Sequence, residues 1–208
     1  MKQSSFVLAV AALAGSGLLG CSSSSEGSSP AGGTGGSHGD AGDEDAGFVP
    51  SAATFDCLKG SEWTQAGMSL YKNVLGHQAE MLAVASSPDG GVFPEGTVIQ
   101  LIPTEASVKR AAGFSAASHD WEFFSLSVSS TGTTILKRGG TAAVVNQFGG
   151  SCLNCHGQAA PQWDLVCADL DGGVDPDSGK TTHGCAQLPS FVTPDLVESL
   201  RSTDARCK

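Results

Sequence analysis

The sequence predicts an α+β domain over residues 51–208, and three observations carry that expectation. First, Phe124, Leu126 and Val128 alternate with Ser125, Ser127 and Ser129, the period of a strand with one buried face. Second, residues 92–102 hold the β-branched run Thr97-Val98-Ile99 and then Ile102, bounded by turn residues. Third, Thr104 stands before a stretch over 105–112 that closes at Gly113, an N-cap and stop signal for a helix.

The other elements follow in order. Residues 62–73, with Trp63, Met68, Leu70 and Tyr71, read as a short helix or an extended arm. Residues 79–85 read as a strand, ended by the turn Ser87-Pro88-Asp89-Gly90-Gly91. The strand over 120–129 turns at 130–132, and 133–138 returns as its partner. Residues 141–148 form a short helix or loop, and 169–184 a long loop. That loop holds Asp169, Asp171, Asp175 and Asp177. A calcium loop would need an acidic or amide residue, Gly and Glu where Gly173, Val174 and Lys180 stand, so a solvated loop is expected.

Ahead of the domain lies a targeting segment. Lys2 is followed by an apolar run from Phe6 to Ala14, too short to span a bilayer. It closes on Leu18-Leu19-Gly20-Cys21, which resembles a bacterial lipobox, so residues 1–20 are expected to be a signal peptide and Cys21 the lipidated N-terminus. Ser22 after that Cys resembles the sorting signal for the outer membrane, facing the periplasm. Residues 21–50 are rich in Ser, Gly, Asp and Glu; they cannot bury enough surface to offset chain entropy and are expected to be a tether, with His38 as surface decoration. The formal net charge of −10 argues against nucleic acid and suits a basic redox partner.

The chemistry is concentrated in Cys152-Leu153-Asn154-Cys155-His156. Cys-x-x-Cys-His attaches c-type haem: the thiols reach two vinyl groups of one porphyrin, and the histidine lies beneath the iron as proximal ligand. The competing readings are a redox dithiol, a structural disulfide and half a zinc site; a zinc ribbon needs a second close Cys pair, which the chain lacks. Of seven Cys, Cys21 goes to lipid and Cys152 and Cys155 to haem, leaving Cys57, Cys167, Cys185 and Cys207. An even remainder in an exported chain implies two disulfides. Of the possible pairings, Cys167–Cys185 with Cys57–Cys207 is favoured, since it closes the Gly/Asp-rich loop and ties the ends of the domain.

A family resemblance joins these features. Class I cytochromes c carry the motif early and a Met ligand after it, whereas no Met follows Met81 here; cytochrome c′ is a four-helix bundle, and this chain has too many strands. Phe93-Pro94-Glu95-Gly96-Thr97-Val98, then Trp121-Glu122-Phe123-Phe124, then the haem segment with Asp164 beyond it resemble, in that order, the cytochrome P-460 family and its cytochrome c′-beta relatives, over roughly residues 60–168. The resemblance implies a mostly antiparallel β-sheet with flanking helices around one covalently bound haem c. It also implies an open distal site bordered by apolar side chains, Phe123 or Phe124 among them. Some members oxidise hydroxylamine and others bind nitric oxide. The oxidising members carry a porphyrin-linked Lys at a place that falls on Leu101, after Gln100, and neither has an amine. This departure favours binding of a small diatomic or nitrogen-oxide ligand, or electron transfer. His77, His119, His183, Met68 and Met81 are the candidates for a sixth iron ligand. The alternatives are a six-coordinate electron-transfer cytochrome and a haem-free, disulfide-stapled structural lipoprotein.

Overall fold

The computed structural model describes residues 47–167 and 193–208. Within them, six strands form one sheet in the order β1 to β6, every neighbour antiparallel. The strands are β1 (Thr64–Ala66), β2 (Ser69–Asn73), β3 (Thr97–Gln100), β4 (Glu105–Lys109), β5 (Trp121–Ser129) and β6 (Gly132–Gly139). Three α-helices accompany it: α1 (Gln78–Ala85), α2 (Cys152–His156) and α3 (Pro194–Ser202). The class is therefore α+β with an antiparallel sheet, as expected.

Residues 62–73 are neither a helix nor a single arm but a hairpin, β1–β2, reversed at Gly67-Met68 with Gly67 in the left-handed region (φ 56°). Two other expectations reverse. Residues 79–85 are helical: Gln, Ala, Glu, Met and Leu are strong helix formers, and α1 buries Met81 and Ala85 against the sheet. The helix expected over 105–112 is instead strand β4. Its helix propensity is overridden because it lies between β3 and β5 and satisfies its backbone there. Thr104, the expected cap, hydrogen-bonds the Gln147 side chain (2.7 Å).

The β5–β6 hairpin matches the expected one and adds a bulge. Ser125 pairs with Lys137 and Leu126 with Ile135, so Leu136 is the extra residue and stands 63% exposed. The start of β5 is buried on both faces. Trp121 and Phe123 join one core cluster with Tyr71, Met81, Phe93, Ile99, Cys152, Leu165 and Val166, while Phe124 and Leu126 join a second with Phe55, Leu58, Trp63, Leu70, Val98 and Val108. The sheet is thus a central layer, and strand periodicity decides which cluster each residue serves.

The second face is closed by chain ends. Cys57 and Cys207 form a disulfide with a sequence separation of 150, as the favoured pairing requires. Asp204 accepts the Leu58 N–H (3.1 Å) and binds Arg206 (2.8 Å), whose guanidinium donates to the Phe55 carbonyl. Buried Glu122 binds both Arg110 and Arg138, and these donate to the Phe48 and Pro50 carbonyls. The folded body therefore takes in residues 48–50, which were expected to belong to the tether.

Candidate functional site

The floor of the site is a row of residues in register on the first face: Tyr71 opposite Ile99, Ile99 opposite Ser107, Ser107 opposite Phe123, and Phe123 opposite Gly139. Gly139 ends the row with positive φ (155°), and a Cβ there would reach Val144 at 3.9 Å. Val144 begins the approach to the Cys-x-x-Cys-His motif: its carbonyl accepts the Cys152 N–H (3.0 Å), and Val145 bridges to Ser151. Asn146 Oδ1 holds the tight turn between them by accepting from Phe148 N and Gly150 N. Residues 141–148 are thus the loop of the two options.

Helix α2 is one turn and a half. Ser151 caps it, its hydroxyl accepting the Asn154 N–H (3.3 Å). The spacing i, i+3, i+4 sets Cys152, Cys155 and His156 on one side of this turn, and all three line one cavity. Met68, Ser69, Ile99, Leu101, Glu105 and Phe123 supply sheet-side walls. The enclosed space is about 110 Å³, and about 910 Å³ when counted to the open mouth with its solvent.

Burial sets the electrostatics of the pocket. Cys152 and Cys155 are thiols, not a disulfide. Burial, reinforced by the neighbouring Glu105 charge, pushes the Cys152 thiol up to about 12 and raises Cys155 as well. Such thiols are poor nucleophiles, which weighs against a redox dithiol. Burial also raises the Glu105 carboxyl, against the Gln147 N–H it accepts (2.6 Å). Burial lowers His156, against the pull of the Leu165 carbonyl on its Nδ1 (2.7 Å). A carbonyl can only accept, so Nδ1 carries the proton and Nε2 keeps its lone pair. The Phe123 ring lies beside the imidazole, centroids 5.0 Å apart.

This donor set fits a c-type haem. Two protonated thiols and a neutral imidazole with an unprotonated Nε2 line one largely apolar cavity, the donor set that covalent attachment and proximal ligation need. Among the described residues no three His, Cys, Asp or Glu side chains converge as a metal-ion site.

The other expected residues divide clearly. Leu101 and Phe123 line the cavity; Phe124 lies on the opposite face. Of the sixth-ligand candidates among the described residues only Met68 reaches the cavity wall. Met81 is core beneath α1, His77 is exposed at the start of that helix beside Glu80 (3.4 Å), and His119 lies 3.6 Å from Asp164. Cys167 is disulfide-bonded and lines the cavity. Cys185, the expected partner, lies outside the described residues, as do Cys21, His38, His183 and the Asp169–Asp177 loop. Sequence reasoning missed Glu105, Ser107, Asn146 and Phe148. The first two were hidden by the helix assigned to β4; an inward-facing alternation of Glu105 and Ser107 was the available signal.

Comparisons of the chain with family models, with curated proteins and with solved structures give no significant match.

Proposed function

We propose that the protein is an exported monohaem c-type cytochrome, tethered by lipid at Cys21 to the outer membrane and facing the periplasm, with redox or small-ligand chemistry at an open iron. The observation that carries this reading is the placement of Cys152, Cys155 and His156 along one cavity floored by Ile99, Ser107 and Phe123. When bound, haem supplies an iron that exchanges electrons and takes small ligands. Addition of a thiol S–H across a vinyl double bond forms a thioether with no oxidant, and Cys152 and Cys155 are in the thiol state this needs. His156 offers Nε2, oriented by its Nδ1–H to the Leu165 carbonyl. Phe123, Ile99 and Leu101 exclude water, and Leu101 brings no amine to the porphyrin, which favours ligand binding over hydroxylamine oxidation.

The test is direct. Protein made with a c-type maturation system keeps its colour through acid-acetone extraction and denaturing electrophoresis; the ferrous form binds carbon monoxide and shows an ordinary c-type spectrum. A colourless product overturns the reading. Cys21→Ser moves the protein from the membrane fraction to the soluble one; none of the described helices is long and apolar enough to cross a membrane.

Met68 on the cavity wall supports a second reading, a six-coordinate electron carrier. It predicts a low-spin spectrum indifferent to carbon monoxide, converted to a carbon monoxide-binding form by Met68→Ala.

A further inference from the structure

Behind the cavity lies a buried ion pair that this reading of the site does not use. Lys109, from the end of β4, sends Nζ to both carboxylate oxygens of Asp164 (2.9 and 2.7 Å); the two side chains are 7% and 3% exposed. Lys109 also donates to the His119 carbonyl (2.7 Å). Asp164 accepts the Phe93 N–H (3.0 Å) on its carboxylate and the Trp121 indole N–H (2.6 Å) on its backbone carbonyl. His119 approaches the same carboxylate at 3.6 Å. Four residues thus meet on one aspartate.

What they hold is unusual backbone. Asp164 and Leu165 are both left-handed, with φ of 49° and 60°. Neither is glycine, and such a conformation persists only where the surroundings over-determine it. The product of the turn is the direction of one carbonyl, that of Leu165, which accepts the His156 Nδ1–H at 2.7 Å. A buried ion pair is weak evidence of added stability, because desolvating both charges offsets their attraction. Its directional effect here falls on the proximal imidazole. Partners of this kind fix a ligating histidine's ring orientation and raise its basicity.

We propose that Lys109 and Asp164 are positioning residues for the iron ligand: through the Asp164–Leu165 turn they set the strength of the His156 hydrogen bond, and with it the reduction potential. This inference rests on the c-type haem reading and adds the device that tunes it.

The test uses holoprotein carrying Asp164→Asn, Lys109→Met or Asp164→Glu. Reduction potential is measured, together with the iron–histidine stretching frequency of the ferrous form. Loosening the turn weakens the hydrogen bond, so Asp164→Asn and Lys109→Met both raise the potential and both lower the stretching frequency. A simple field effect does otherwise: deleting a negative charge raises the potential, and deleting a positive one lowers it. Shifts of opposite sign, or folded holoprotein variants with wild-type values, overturn the proposal. Asp164→Glu keeps the charge and displaces the carboxylate, so it decides the matter if the other variants do not fold; it gives a smaller shift in the same direction, and a wild-type frequency refutes positioning. Glu122→Gln, which breaks the other buried ionic cluster, is the control: it destabilises the fold and leaves both readouts unchanged. Wild-type protein without covalent haem overturns the cytochrome reading itself, whereas holoprotein with unmoved readouts overturns only this inference.

Discussion

The two faces of the sheet are built for opposite ends. The second face is closed: Phe55 packs on Phe124 (centroids 4.8 Å apart), Cys57–Cys207 joins the two ends of the domain, and Glu122 and Asp204 are each held by arginine. The first face carries a cavity, two protonated thiols, a neutral half-buried imidazole and a raised carboxyl. Groups of that kind lower stability, and an empty cavity forfeits packing. The difference teaches that one sheet can anchor the fold on one side and present chemistry on the other. Neighbouring residues of a single strand, Phe123 and Phe124, belong to the two different tasks.

The largest effect expected is all-or-none. Cys152→Ser with Cys155→Ser abolishes covalent pigment, seen as loss of haem staining on denaturing gels, while far-UV circular dichroism still reports the sheet. Loss of the sheet as well would mean that the first face also anchors the fold.

Next, Phe124→Ala costs about 3–5 kcal/mol in denaturant unfolding, since it empties a filled core. Phe123→Ala costs less and instead shifts the visible spectrum of the holoprotein. Equal costs with unchanged spectra would erase the distinction between the faces.

Opening the staple with Cys57→Ser and Cys207→Ser costs about 2–5 kcal/mol, with pigment and carbon monoxide binding retained. A coupled loss of ligand binding would show that the second face reaches into the site.

The smallest effects are in pH, and each face has its own window. In protein without haem, burial lowers His156, so below the ordinary histidine value of about 6.5 the unfolded chain takes up a proton that the native state refuses, and stability falls as pH drops. Glu105 is raised, so the unfolded chain loses its proton first, and stability declines as pH rises from about 4.3 through the raised value. Glu105→Gln removes that decline and makes the protein more stable at pH 7. On the second face Asp204 is held low despite its burial, by Arg206 and the Leu58 N–H. Its contribution is lost only as pH falls below about 3.9. Urea unfolding between pH 3 and 8, on wild type and Glu105→Gln, separates the three windows.

The sequence by itself determined what is local. The Cys-x-x-Cys-His spacing puts three donors on one helical turn because 3.6 residues complete it. The period of two in β5 and its return through β6 were legible for the same reason: side-chain direction in a strand depends on position alone. The even cysteine remainder implied disulfides through chemistry, and Cys57–Cys207 was the pairing that ties the ends of the domain. Only the tertiary structure decided that residues 78–85 coil and 105–109 extend, because short apolar segments of mixed propensity take the conformation their neighbours can pair with or pack against. It alone brought Lys109 to Asp164, 55 residues on, and Leu165 to His156. The first of these joins distant parts of the chain at a buried site, and no spacing in the sequence encodes a meeting whose cost and reward are both set by burial.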